Sequence, residues 1–370
     1  TQLFTPRWIV EYMVQNTLGK LWLQNRPKSR LRQYMPYLIE SASLEAEEYI
    51  KVQSPEEIKF LEPACGSGHI LVYAFDLFSK IYEEEGYNTS EIPKLIIENN
   101  LYGFEIDERA AQLSALALMI KAREYNSRAF RIELMPNILC YNDLYVTKNE
   151  IIEILHSQII HISDDLLHDL LLMQHATNFG SLIIPHTHIS EIERVLVKLT
   201  QFLPDSDVFQ RSNVEAIIGS LNRLKLLAQK FHCLVANPPY MGFSKMNLEL
   251  SSYLRIEYQE SKQDLMTSFM DRSNIFLIEN GYFSMINLPS WMFLSSFEEF
   301  RKKFLVDNNI VSLLHLGRGI FGADFGTVAF SCKKSSNIAV SGVYRRLFKE
   351  HVQVRKTEEI RRLFQNTTYG

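Results

Sequence analysis

Apolar and polar positions along this 370-residue chain follow two periods. From Trp8 to Leu23, and again from Leu31 to Ile50, apolar residues recur at helical spacing, so most of 6–50 is expected to be helical. Short apolar runs follow at Ile58–Leu61, Leu101–Glu105, Ile138–Tyr141, Cys233–Ala236, Tyr282–Ile286, Ile310–Leu316 and Gly326–Lys333, and each reads as a strand. Helical patterns lie between the early ones, at His69–Glu85, Ile92–Asn99 and Glu108–Glu124. Alternation of strand and helix predicts an α/β fold, a parallel sheet of about seven strands with helices on both faces. The short connection before Gly326–Lys333 makes that last strand antiparallel. Between Asp143 and Phe231 the chain is rich in Leu and Ile but poor in strand signals, which predicts a helical insertion. No fixed-period repeat is apparent.

Composition narrows the class. Hydrophobic residues make up 46% and charged ones 22%, which excludes a disordered or collagen-like chain. No apolar run reaches the roughly 20 residues that span a bilayer, and no signal peptide opens the chain, so no membrane partner is expected. Cys65, Cys140, Cys233 and Cys332 are scattered and form no CxxC pair, which argues against a disulfide framework or a zinc knuckle and for the reducing cytoplasm. Thr1, in place of an initiating Met, is expected of a piece of a longer chain. Six of the ten histidines fall in the insertion, but His161 and His168 are seven apart, a stripe rather than a closed ligand set, so no metal is expected.

Net charge is −4, yet residues 331–362 hold nine Lys/Arg (Lys333, Lys334, Arg345, Arg346, Lys349, Arg355, Lys356, Arg361, Arg362) against three acids. A basic end on an acidic body fits a phosphate-facing rim, and equally an ordinary solvated surface.

Two motifs carry chemistry. The first, Glu62-Pro63-Ala64-Cys65-Gly66-Ser67-Gly68, follows a predicted strand and opens a helix. Small residues there let the backbone approach a ligand closely. The Gly-Lys-Ser/Thr of a P-loop is absent, which disfavours a triphosphate. The next strand ends at Glu105, where an acid can accept hydrogen bonds from both ribose hydroxyls. Glu105 lies further from the turn than in a dinucleotide fingerprint, so the ligand is expected to be a nucleoside other than NAD. The second motif, Asn237-Pro238-Pro239-Tyr240, leaves a strand and stops it with two prolines, giving a rigid platform for one amide and one aromatic ring. The Asn237 oxygen and the Pro238 carbonyl can accept both hydrogens of an exocyclic amine, drawing its nitrogen toward tetrahedral geometry as a methyl sulfonium is attacked. The Tyr240 ring can stack on a base flipped out of a duplex. A strand-terminating turn is the plainer reading of the same residues.

Together these motifs resemble the N6-adenine DNA methyltransferases of the Eco57I-like branch, which includes type IIG restriction-modification enzymes. Gln2-Leu3-Phe4-Thr5-Pro6, Glu62 to Phe75 and Ile81 to Tyr87 are similar to the PglX type of BREX phage-defence systems. The resemblance covers most of 1–340. It implies a seven-stranded Rossmann-like core dependent on S-adenosyl-L-methionine, with an N-terminal helical segment (1–57), a cofactor-binding half (58–143), the insertion (144–230), a catalytic half (231–340) and a basic segment (341–370) leading toward a recognition domain. It further implies site-specific methylation of adenine N6 in double-stranded DNA, with other defence-system proteins as further partners. By the resemblance, Asn237, Pro238, Pro239 and Tyr240 are catalytic, and Phe4, Thr5, Pro6, Glu62, Ala64, Cys65, Gly66, Gly68, Glu105, Ile106, Asp143 and Asn237 bind the cofactor. Tyr240 and Phe321 contact the flipped base. Each has a structural alternative: Thr5 suits the N-cap of a helix beginning at Pro6, Asp143 suits a turn, and Phe321 suits the core. Asn-Pro-Pro-Tyr is shared with methyltransferases of RNA and of protein amides, and a non-catalytic scaffold would keep the same fold.

Overall fold

The computed structural model describes residues 4–40, 48–127, 129–131, 134–322, 324–335, 341–348, 350 and 354–366. Gln2, Leu3 and Lys349 lie outside the described residues, as does 41–47 within the expected Leu31–Ile50 helix.

The first helical expectation holds: α1 (Arg7–Val14) runs through a π-helical stretch, Gln15–Gly19, into α2 (Lys20–Asn25). The second does not. Only a short 3₁₀ turn, Arg30–Tyr34, forms in the described part of Leu31–Ile50. Pro36 removes a helical donor and forces Met35 out of the α region. The chain beyond it docks on buried amides instead: Tyr37 N–H donates to Gln15 Oε1 (2.7 Å) and Ile39 N–H to Asn16 Oδ1 (2.9 Å).

An alternating stretch follows: β1 (Phe60–Glu62), α3 (His69–Glu84), α4 (Ile92–Leu95), β2 (Leu101–Glu105), α5 (Glu108–Tyr125) and β3 (Asn137–Cys140). The insertion is helical as expected, with α6 (Lys148–Ser157), α7 (Asp164–Leu172), α8 (Ala176–Phe179), α9 (Ile189–Phe202) and α10 (Val208–Ala228). Then come β4 (Phe231–Ala236), α11 (Leu248–Glu257), α12 (Leu265–Phe276), β5 (Leu277–Asn287), α13 (Ser290–Phe293), α14 (Glu298–Asp307), β6 (Asn308–Arg318), β7 (Gly326–Lys334), β8 (Val343–Arg346) and α15 (Thr357–Gln365). β5 is longer than expected because Asn280 (φ 64°) and Gly281 bulge it: Phe231 pairs with Leu277, but Cys233 with Tyr282.

Among the described residues the sheet has eight strands in the order β3-β2-β1-β4-β5-β7-β6-β8, one more than expected. β1 runs parallel to β2 and β4, and β4 to β5, while β7 is antiparallel to both neighbours as expected. The additional strand is β8, parallel to β6. It lies in the basic 341–370 segment, which thus extends the sheet. Its alternating half-buried and exposed residues give it a weak apolar signal. α15 then sets Phe364 against Trp8, Tyr12 and Tyr37, with ring centroids 5.5–6.2 Å apart.

By contacts the chain divides into two compact units. One comprises Thr1–Gly103, Arg109–Ile138 and Lys230–Gly370, and the other Phe104–Glu108 with Leu139–Gln229. In the first, the core joins α1, α2 and α3 to β4, β5, β6 and β7. Tyr12 OH meets Ser312 Oγ at 2.7 Å, and Ser331 Oγ donates to the Asn16 carbonyl (2.8 Å), so the buried polar groups of the helix are answered by the sheet. In the second, the buried Asp169 carboxylate accepts from the His186 and Thr187 N–H groups and from Thr187 Oγ1, holding the chain before α9.

Gly68 has φ 79°, and a Cβ there would lie 2.4 Å from Ser114 Oγ and 3.1 Å from Ser114 Cα. Gly68→Ala is therefore expected to destabilise by at least about 1–2 kcal/mol from the left-handed backbone alone, with the clash added. Gly86→Ala, at φ 84° but in open space, isolates the backbone part. Urea denaturation of both variants is the check, and Gly68→Ala should show the lower midpoint.

Candidate active site

In the first unit the parallel strands send their C-terminal ends to one edge of the sheet. β1 ends there at Glu62, in register with Gly103 and buried. The next residues turn through Gly66 (φ 51°) and Gly68 into α3, with Gly68 N–H donating to the Cys65 carbonyl (2.8 Å). The buried Cys65 packs under the turn, and a Cβ on Gly103 would lie 3.0 Å from its sulfur and 2.8 Å from Leu71. Close packing of strand, turn and helix accounts for these glycines. Ala64 and Gly66 remain half-buried, and α3 begins without a side-chain cap.

At the N-terminus, Thr5 is buried, Pro6 half-buried and Phe4 exposed. The Thr5 capping alternative fails. Pro6 occupies the N-cap of α1, and no side chain caps it; its carbonyl accepts from Ile9 (2.9 Å) and Val10 (3.2 Å).

β4 ends at Ala236, paired with Met285, and Asn237-Pro238-Pro239-Tyr240 follows at the same edge. Pro238 is buried, Pro239 exposed, and Asn237 and Tyr240 are half-buried. The Tyr240 hydroxyl donates toward Asn237 Oδ1 (3.0 Å) and the Ile286 carbonyl (2.8 Å), joining the motif to β5. Desolvation raises the Tyr240 pKa, with the Asp264 charge adding to it, so the phenol stays protonated and can donate.

Two residues here were missed in the sequence. Asp264 Oδ1 accepts from Met241 N–H (3.2 Å) and caps α12 through Met266 N–H (3.1 Å). Leu265 N–H donates to the Met241 carbonyl (3.0 Å) and Phe243 N–H to that of Gln263 (2.9 Å), so the chain leaving Tyr240 is clamped to the start of α12. Burial raises the Asp264 pKa. An Asp just before an apolar helical run was the available signal. The other is Phe325, whose ring meets Tyr240 edge-on at 6.5 Å and lies 5.9 Å from Phe321. Phe321 is half-buried and packs partly on the core. No pattern in the sequence singled out Phe325.

The second unit holds the remaining candidates. Glu105 Oε1 accepts from the Ile106 (2.9 Å) and Asp107 (3.0 Å) N–H groups, which fixes the carboxylate at the end of β2. Ile106 is exposed, and a Cβ on Gly180 would lie 3.0 Å from its Cγ2. Asp143 is engaged by Thr177, with Oδ1 accepting from its N–H (2.8 Å) and its hydroxyl (3.0 Å), so its partner is 34 residues away rather than within a local turn. Beside it Arg223, also missed, donates to the Cys140 carbonyl (3.0 Å), and Asn142 accepts from its Nη2 at 2.9 Å. Desolvation lowers the Arg223 pKa.

The basic rim expected over 331–362 is not one surface. β7 runs against β5, so Lys333 and Lys334 reach the opposite edge from Asn237. There Lys333 is buried against the Glu48 carbonyl, and Lys334 donates to the carbonyls of Asn274 (2.9 Å) and Leu277 (3.0 Å).

The Asp264 clamp yields a test. Asp264→Ala removes a helix cap and the acceptor for Met241, so stability should fall by about 1 kcal/mol or more. Thermal unfolding measures the loss. Asp264→Asn keeps an acceptor and should recover most of it.

The sequence profile of the Eco57I restriction-modification methylases matches residues 99–321. The chain is 35% identical over 405 aligned positions to "Adenine-specific methyltransferase BrxX" of Escherichia coli O9:H4 (strain HS), covering 99% of this chain and 33% of that protein. It is 34% identical to "Adenine-specific methyltransferase PglX" of Lacticaseibacillus casei (strain Zhang), covering 99% of this chain and 32% of that protein. It thus spans about a third of the length of these relatives. Among solved structures, the ATP-dependent Type ISP restriction-modification enzyme LlaBIII bound to DNA superposes with a TM-score of 0.58 at 14% identity, over 99% of this chain and 21% of that one, a likeness of fold. On its profile match and its sheet, this chain belongs to the Eco57I restriction-modification methylase family.

Proposed function

We propose that this chain is the methyltransferase part of an enzyme that methylates N6 of a flipped-out adenine in double-stranded DNA, in a BREX phage-defence or restriction-modification system. The observation that carries the reading is Asn237, which follows β4, precedes two prolines and accepts from the Tyr240 hydroxyl. Membership of a methylase family and two relatives named as adenine-specific methyltransferases support it.

In each unit the residues that the resemblance assigns to the cofactor have chemistry suited to S-adenosylmethionine. The half-buried Glu105 carboxylate, anchored through Oε1 by two backbone N–H groups, would accept from the ribose hydroxyls. Ile106 offers an apolar surface for the adenine ring and Asp143 an acceptor for its amine, while Thr5, Glu62 and the Gly66–Gly68 turn would line the methionine end. When bound, the cofactor would supply an electrophilic methyl group on sulfur.

The chain's own part is to prepare the nucleophile. The lone pair of the adenine amine is delocalised into the ring. Asn237 Oδ1 and the Pro238 carbonyl would accept its two hydrogens and localise that pair on nitrogen. An amide oxygen has two lone pairs, so it can accept from Tyr240 and from the amine at once. Tyr240, with Phe325 at its edge and Phe321 beyond, would hold the base by its face. The proton leaves after methylation, when the nitrogen is cationic and acidic, so no strong general base is needed.

Tritium transfer from labelled S-adenosylmethionine tests the substrate class. Label should enter duplex DNA; label confined to RNA or to protein would overturn the reading. Asn237→Ala should slow methylation by about 10²–10³-fold while leaving cofactor affinity near that of the parent. Glu105→Ala should do the reverse. Its loss of affinity for S-adenosylhomocysteine, read by calorimetry, should be about 1.5–3 kcal/mol for each charge-assisted hydrogen bond removed.

A further inference from the structure

The fold sorts the basic residues near the C-terminus into those used internally and those that are not. Lys333 and Lys334 are bonded to backbone carbonyls at the far edge of the sheet. Arg345 donates to the Phe364 carbonyl (3.2 Å) and covers that ring. Arg361 donates to Tyr37 OH (2.6 Å) and faces Glu358 (3.4 Å).

Arg346 and Arg355 differ. Their guanidinium carbons lie 5.7 and 5.8 Å from the centre of the buried Phe348 ring, and His315 meets the same ring edge-on at 4.7 Å. Among the described residues neither guanidinium has a carboxylate partner, and Arg355 Nε and Nη2 are enclosed without a hydrogen bond. Stacking on a ring offsets part of the cost of placing a guanidinium there, but it does not neutralise the charge.

Strand register places both at the edge that carries Asn237. Arg346 is in register with His315 on β6, three residues before Arg318, whose carbonyl accepts from Arg355 N–H (3.3 Å). Arg318 pairs with Gly326 of β7, two residues before Val328, which pairs with Asn287 at the end of β5. β5 lies beside β4. The loop from Gly317 to Gly322, which carries Phe321, is tied to the same segment: a Cβ on Gly319 would lie 2.1 Å from the Arg355 carbonyl oxygen, and Thr357 Oγ1 donates to the Ile320 carbonyl (3.2 Å). The pair therefore sits on the floor that holds the base-facing loop.

We propose that the exposed Arg346, and Arg355 through its Nη1, bind backbone phosphates of the DNA duplex beside the target adenine. This rests on the DNA methyltransferase reading. β6 and β8 lie three and four strands from β4, or about 14–19 Å at roughly 4.8 Å per strand. At about 3.4 Å per nucleotide along one strand, that is some four to six nucleotides from the flipped base. A stiff polyanion that reaches from Asn237 to these cations matches a duplex, whose persistence length is about 50 nm.

The test is the anisotropy of fluorescein-labelled duplexes of two unrelated sequences, titrated at several salt concentrations. The variants are Arg346→Ala, Arg355→Met, which keeps packing on Phe348, and Lys302→Ala as a control of equal charge, since Lys302 is paired with Glu298 and Glu299 on α14. Each arginine variant should bind both sequences several-fold more weakly, and its slope of log affinity against log salt should fall by about 1. The control and the calorimetric affinity for S-adenosylhomocysteine should stay at the parent's values. Parent-like DNA binding by both arginine variants would overturn the proposal and leave the methyltransferase reading standing, the guanidiniums then serving packing alone. A parent that prefers single-stranded RNA, with the same variants weakening it, would make the partner RNA and overturn the proposal. A parent that binds the cofactor but no nucleic acid would remove the DNA reading and the proposal together.

Discussion

Parallel pairing of β1 with β2 and β4, and of β4 with β5, is the constraint on which the rest depends. Parallel strands end together, so each leaves its last backbone groups at a shared edge. β1 turns there through two left-handed glycines, and β4 stops at two prolines. Ligands of open α/β sheets bind at such an edge, where the strand order reverses. Here it reverses at β1, with β2 on one side and β4 on the other.

The Asn-Pro-Pro-Tyr motif gains its rigidity from more than its prolines. The Tyr240 hydroxyl reaches both Asn237 and the Ile286 carbonyl, and Asp264 holds the next residue from the start of α12. Burial keeps the phenol protonated, so it acts as a donor to the amide oxygen. An amide that is to accept from an amine must present oxygen rather than nitrogen, and a fixed donor at that oxygen selects this orientation.

Support reaches that edge from the π-helical stretch Gln15–Gly19, which is buried on every side. Gln15, Asn16 and Thr17 are inaccessible to solvent, which is costly for amides unless every polar atom is answered. Asn16 Nδ2 donates to the Tyr12 and Tyr37 carbonyls, Gln15 donates to Tyr73 OH, and their oxygens take N–H groups from Tyr37 and Ile39. This network holds the turn at Pro36–Tyr37 and the chain after it against the helix, and α15 closes over it with Phe364. In the first unit the N-terminal helices, the strands β4 to β7 and the C-terminal helix thus form one packed core beside Asn237.

Local chemistry made much of this legible in the chain itself. Strand and helix periods gave the alternating core and the helical insertion, because burial on one face or two leaves a direct trace in apolar spacing. Glycines before a helix and prolines after a strand marked both motifs, because backbone restrictions belong to the residue type. Long-range partners left no such trace. The 31–40 segment has helical spacing but is claimed by two amides of a distant helix, and β8 carries too few apolar residues to announce a strand. Thr177 for Asp143, Phe325 for Tyr240 and Asp264 for Met241 are likewise set by packing between elements far apart in sequence. The basic residues show the same division most sharply. Composition counts Lys333 and Arg346 alike, but antiparallel pairing of β7 carries one to the edge away from Asn237 and the path of β8 carries the other toward it, because strand direction exists only once the sheet has formed.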